Sequence, residues 1–243
     1  MNTILFISIV LIAGAMAGTI HGLTNLALVE PYLDNAIMIE NQALFASGQA
    51  EDTPEFWAEY KSYRSWQKEG QVLASAILGT SMGALFGIVY VLSRDALPKG
   101  GDLKKASVLA AIMWFSVYLV PFFKYPANPP TVGDGETVVL RAALYLLFIG
   151  ITGFGVVVFY QVYRRLTKNK RFVAFAGYAA LVAVAFVLMP PNPDENTIQT
   201  ELLNGFRIMS AIGVTIFWTT LAIILGVLWQ RLRLDSETNL EHH

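Results

Sequence analysis

Residues 138–163 read VVLRAALYLLFIGITGFGVVVFYQVY, with Arg141 as their one charged side chain. At about 1.5 Å of rise per residue, such a helix crosses the roughly 30 Å hydrocarbon core of a bilayer. A helix that long and apolar on every face belongs in lipid rather than on the surface of a soluble domain. Working outward, five further stretches have the same character, at about 4–28, 71–93, 106–123, 172–189 and 207–230. Composition agrees: 14% of the 243 residues are charged, against about 25% in an ordinary soluble domain. The expected fold is all-α, a polytopic membrane protein of six helices in three hairpins, forming one integral domain over 1–236. The first stretch lacks a basic leader and exceeds the usual 7–15-residue signal core, so it reads as a retained helix. Leu240-Glu241-His242-His243 reads as an expression-tag remnant, which leaves His21 as the only native histidine.

Orientation follows from the basic residues. Arg94, Lys99, Lys104 and Lys105 fall in one loop, Arg164, Arg165, Lys168, Lys170 and Arg171 in another, and Arg231 and Arg233 in the tail. The alternate loops carry Lys61, Arg64, Lys68, Lys124, Arg141 and Arg207. The richer side is expected in the cytoplasm with both termini, in a cell (inner) membrane. Segments of about 29–70, 124–137 and 190–206 then face outward. Within 29–70, a helical segment at 31–46 and an aromatic one at 54–70 are expected to form an outer cap.

Two glycine stripes recur at four-residue spacing, Gly14-Gly18-Gly22 and Gly79-Gly83-Gly87. Small residues let helix backbones approach closely in lipid, so the stripes read either as a packing seam or as a flexible gate. The chain also resembles itself. Pro126-Ala127-Asn128-Pro129 precedes Glu136 and Arg141 much as Pro190-Pro191-Asn192-Pro193 precedes Glu201 and Arg207. This is either an internal repeat or the independent use of proline to stop helices and arginine to anchor their ends.

Ionisable groups at membrane depth call for a functional hypothesis. His21 and Asn25 share a helix face, and Glu30 and Asp34 continue outward at similar spacing. An imidazole with amide and carboxylate oxygens suits first-row divalent ions, so these four form a candidate metal ladder. The other reading is a hydrogen-bonded histidine and two acids favouring the first turn of the next helix. Lys124, Asn128, Asp134, Glu136, Arg141, Asn192 and Arg207 are candidates for an outer vestibule, or for ion pairs holding the outward turns. The chain contains no phosphate loop of the G-x-x-x-x-G-K-[ST] type, no cysteine and no second native histidine. An enzyme is not expected, nor a resident cofactor, nor a nucleic-acid partner at a net charge of −1.

The run from Tyr118 through Lys124-Tyr125-Pro126-Ala127-Asn128-Pro129-Pro130 to Gly133-Asp134, Glu136-Thr137 and Arg141-Ala142-Ala143-Leu144-Tyr145 resembles the CbtA family of cobalt transporter subunits. Glu30-Pro31-Tyr32-Leu33-Asp34 with Glu40, Arg64 with Gln67 and Gly70, and Phe206-Arg207 with Ser210 extend the resemblance. It implies a membrane subunit of a divalent metal (cobalt) transporter supporting cobalamin synthesis, with Co²⁺ as cargo. It also implies a small single-helix CbtB-like partner with a histidine-rich end. The chain alone leaves room for a homo-oligomer, and for a non-transporting assembly subunit of a larger membrane complex. The family is described with five helices, whereas this chain offers six.

Overall fold

The computed structural model describes residues 3–130, 132–194 and 198–238; the expected tag remnant at 240–243 lies outside them. Among these residues, eight α-helices follow in chain order: α1 (Thr3–Leu28), α2 (Glu30–Ala46), α3 (Pro54–Ser93), α4 (Asp102–Met113), α5 (Val120–Lys124), α6 (Val138–Arg165), α7 (Phe172–Leu188) and α8 (Thr200–Thr238). A π-helical turn, Trp114–Leu119, joins α4 to α5. Among the described residues there is no strand. Among the described residues, six helical stretches are long and apolar enough to cross a membrane, and their positions match the expected spans to within a few residues at most ends. The protein is an all-α, multi-pass membrane protein. Leu92, Val139 and Val187 are among many large apolar side chains left exposed, which would be unfavourable in water and is ordinary against acyl chains.

Two expected boundaries differ. The aromatic segment 54–70 is no separate element: it is continuous with the second span in a single helix of 40 residues. Thr53 caps its start by accepting from the Phe56 amide, and Pro54 takes the first turn, where its missing N–H leaves nothing unsatisfied. Gly70 does not interrupt it, because isolated glycine weakens a helix without breaking it. The third span, expected as one regular helix, contains the π turn. Val120 donates to the Phe115 carbonyl, five residues back. Pro121 follows immediately, and its ring would clash with the carbonyl four residues before it in a regular helix. The widened turn moves that carbonyl aside.

Contacts gather the chain into two compact units, Met1–Ala111 with Glu201–His243, and Ile112–Thr200. In the first, α1 packs along α3. A methyl group added at Gly14 would lie 2.5 Å from the Gly79 carbonyl oxygen, and one at Gly83 would lie 2.7 Å from the Gly14 Cα. The stripes are therefore a seam of backbone on backbone. In the second unit, α6 packs against α7, the π turn and α5. Its core joins Leu144 and Phe148 of α6 to Ala185 and Met189 at the end of α7.

Candidate functional site

In the first unit, α1 carries His21 and Asn25 one turn apart. His21 Nδ1 lies 3.0 Å from the Gly213 carbonyl oxygen, so the ring donates there and leaves Nε2 to accept from the Asn25 amide at 3.1 Å. Phe217 packs edge-on against the imidazole. The chain turns at Val29, and Pro31 lies in the first turn of α2.

Beyond the turn, Glu30 and Asp34 stand one turn apart on α2 and face Arg64 and Lys68, one turn apart on α3. Arg64 Nη2 donates to Glu30 at 2.5 Å and to Asp34 at 2.8 Å, and its Nη1 donates to Gln67 at 2.7 Å. Lys68 donates to Asp34 at 2.6 Å. Glu30 and Arg64 are buried, so removing either would strand a charge where water cannot reach it. Burial pushes the Asp34 carboxyl upward, but hydrogen bonds and positive charge from Lys68 and Arg64 outweigh it and hold its pKa below the ordinary value. The four candidate ladder residues thus form two groups, an imidazole–amide pair on α1 and a carboxylate pair already matched by two cations. Among the described residues, no three His, Cys, Asp or Glu side chains gather in a form that could hold a metal ion.

In the second unit, the two Asn-Pro turns meet at Asp194. Its buried carboxylate accepts from Thr137 Oγ1 at 2.8 Å and 2.9 Å and lies 2.9 Å from Arg141 Nε. Arg141 also donates to the Asp134 carbonyl at 3.1 Å. Gly133, at φ 105°, sits where any side chain would strain the backbone and collide with this pair. The Asn192 side chain accepts from the Asp194 amide, and the Asp134 side chain caps the short turn holding Glu136. Lys124, closing α5, donates at 2.8 Å to the Phe186 carbonyl, one of the unmatched acceptors at the end of α7. Asp134 and Glu136 are exposed, while Asn128 and Arg207 are each engaged in interactions of their own. Between these turns and the third span lies a recess of about 340 Å³. Tyr118, Tyr125, Asn128, Arg141, Tyr145 and Asn192 contribute to its wall.

A family model described as "Probable cobalt transporter subunit (CbtA)" matches residues 3–230. The chain belongs to the CbtA family. No curated protein and no solved structure matches it. Both polar groups lie inside the matched region of this CbtA protein.

Three of their charged members, Arg64, Lys68 and Asp194, were absent from the sequence-derived candidates. Arg64 and Lys68 are visible as a basic pair at four-residue spacing opposite an acidic pair of the same spacing, but only the fold of α2 back onto α3 makes them partners. Asp194 follows the second Asn-Pro pair directly, and no spacing rule marks it as the acceptor for an arginine 53 residues earlier.

Proposed function

We propose that this CbtA protein is the membrane-embedded subunit through which cobalt enters the cell for cobalamin synthesis. It lies in the inner membrane with both termini cytoplasmic, and it works with a small single-helix CbtB-like subunit rather than as an enzyme. The observation that carries the reading is the family match over nearly the whole of a six-span chain. Orientation is supported by the basic loops at 94–105 and 164–171.

His21, Asn25, Glu30 and Asp34 are the proposed cation route, and the ion pairs set its condition. The Lys68–Asp34 pair is partly exposed and separates at little cost. The Arg64–Glu30 pair is buried and is costlier to open, so the ion has to draw Glu30 from Arg64 as it passes. A cation descending the route would displace Lys68 from Asp34 first and meet the neutral imidazole last, which avoids placing a fixed charge deep in the membrane. In the competing reading, the four charges only brace α2 against α3.

The two separate in Asp34→Asn and His21→Ala, scored for cobalt accumulation in a cobalt-limited host and for thermal stability after purification. The route requires accumulation per folded molecule to fall sharply with little change in melting temperature. A lower melting temperature with unchanged accumulation would leave only the brace. Orientation is checked by single cysteines: Ser47→Cys should react with an impermeant reagent applied to intact cells, and Asn169→Cys should not.

A further inference from the structure

The short connection between α6 and α7 carries the densest run of positive charge in the chain. Arg164, Arg165, Lys168, Lys170 and Arg171 fall within eight residues, and from Thr137 to Pro193 the sequence contains no Asp or Glu. Among the described residues, none of the five forms an ion pair. The other basic loop, 94–105, is built differently. Its four basic residues are accompanied by Asp95 and Asp102, and Asp102 holds Arg94 at 2.6 Å. Both loops satisfy the rule that orients spans by their basic residues. Orientation alone therefore does not call for a patch left wholly unneutralised. Gathering five unmatched cations into one tight turn costs mutual repulsion, which salt only partly screens at such short range.

Aromatic rings adjoin these charges. Arg165, Lys168 and Lys170 are exposed, as is Arg164, while Arg171 is half-buried. The Arg171 guanidinium lies 4.6 Å from the centre of the Tyr163 ring. Tyr160 stacks on Tyr163, and Phe175 meets it edge-on. Tyrosines at the end of a span sit at headgroup level, so this guanidinium is held at that level. On α7, Phe172 is 67% exposed and Phe175 70%. The chain thus passes within a few residues from exposed cations to exposed apolar rings. That order matches the layers of an anionic phospholipid, phosphate above and acyl chain below. A soluble acidic partner would match the charges and leave Phe172 and Phe175 without a counterpart.

We propose that the α6–α7 connection is a binding site for anionic phospholipid. Its phosphates lie among the five basic side chains, and its acyl chains run along Phe172 and Phe175. Arginine takes phosphate oxygens two at a time and lysine engages them as a point charge, so a headgroup is held from several sides without a shaped pocket. The site belongs entirely to the second unit and does not depend on which ion the protein carries.

The test uses the purified full-length protein in a non-ionic detergent, titrated with short-chain phosphatidylglycerol and, in parallel, short-chain phosphatidylcholine. Phosphatidylglycerol should raise the melting temperature in a saturable way, at concentrations where phosphatidylcholine does not. Raising NaCl to about 0.5 M should shift the midpoint to higher lipid concentration, because screening then acts within a few Å. A basic residue near an anionic surface contributes about 1 kcal/mol, a factor of about five in affinity. Lys168→Gln combined with Lys170→Gln should therefore raise the midpoint at least about tenfold. Both side chains are exposed, so the melting temperature without lipid should stay at the wild-type value. Lys104→Gln combined with Lys105→Gln, in the other loop, should leave the midpoint unchanged. Should the first double variant fold poorly, Arg164→Gln with Arg165→Gln replaces it, with the same expected loss.

Equal stabilisation by the two lipids would overturn the proposal, as would a midpoint indifferent to salt or to the substitutions at 164–171. An equal loss in Lys104→Gln with Lys105→Gln would also overturn it, by reducing the effect to a general attraction of basic loops. Sodium phosphate that stabilises the protein as well as the lipid does would make free phosphate the ligand and end the lipid assignment.

Discussion

Along the α1–α3 seam a methyl group on Gly14 or Gly79 would sit 2.5 Å from the opposite backbone, whereas at Gly150 of α6 nothing lies within 4 Å. Glycines of the second unit that do meet neighbours meet side chains: a methyl on Gly177 would encounter the Phe159 ring, and one on Gly155 the Leu181 methyl. The first unit therefore joins α1 to α3 backbone to backbone, meets side chains at Gly205 and Gly213 of α8, and adds a buried ion pair where α2 returns. The second relies on interlocking side chains and departs from regular helix at its π turn. Close backbone contact leaves no freedom to rearrange, while a widened turn is a common mark of functional positions. By this contrast α1 and α3 form a fixed joint, while the second unit packs through side chains that can move.

The seam offers the most damaging test of that contrast. Gly79→Leu should abolish folding or cost at least about 3 kcal/mol, because neither backbone can yield to an inserted side chain. Detergent melting and yield would show it, and a folded, near-wild-type Gly79→Leu would dissolve the distinction between the units. Next come the ion pairs. Arg64→Ala strands buried Glu30 and should cost about 3–5 kcal/mol. Arg141→Ala should cost less, about 1–3 kcal/mol, since Thr137 still donates to Asp194. Adding Glu30→Gln to Arg64→Ala should recover much of the loss, while Lys68→Ala, at a partly exposed pair, should cost under about 1 kcal/mol.

Acid provides a finer probe of the first unit. The pKa of Asp34 is depressed in the folded state. Its contribution to stability is therefore fully present above the unfolded carboxylate range near pH 4 and is lost as pH falls through the lower folded value. Melting temperature should be insensitive to this group between about pH 5 and 8 and decline below about pH 4, and Asp34→Asn should flatten part of that decline. The smallest effect belongs to Gly150→Ala, which should lie within about 0.5 kcal/mol of wild type. A large loss there would show that the second unit is seamed as tightly as the first.

The spans were legible because each is an unbroken apolar run of bilayer length, a property of the local sequence alone. The glycine stripes were legible for a similar reason, since four-residue spacing already places Gly14, Gly18 and Gly22 on one helix face. The continuity of α3 through Gly70 was not, because charged and aromatic residues at 54–70 resemble an interfacial element as well as a helix projecting beyond the membrane. The π turn was hidden too: Pro121 announces a disturbance but not whether the chain answers by kinking or by widening. In the candidate sites, His21, Asn25, Glu30 and Asp34 stood out from their own helix faces. Their partners Arg64, Lys68 and the Gly213 carbonyl come from distant segments, and only tertiary structure supplies them.

Cobalt accumulation tests the central claim most directly. Radioactive Co²⁺ at submicromolar concentration would be given to a cobalt-limited host lacking its own uptake systems, expressing this chain together with a CbtB-like partner. Accumulation well above that of cells carrying neither protein is the expected result, and it should fall when this chain alone is omitted. Accumulation that stays at background, with the folded chain present in the inner membrane, would contradict its role as a cobalt transporter subunit.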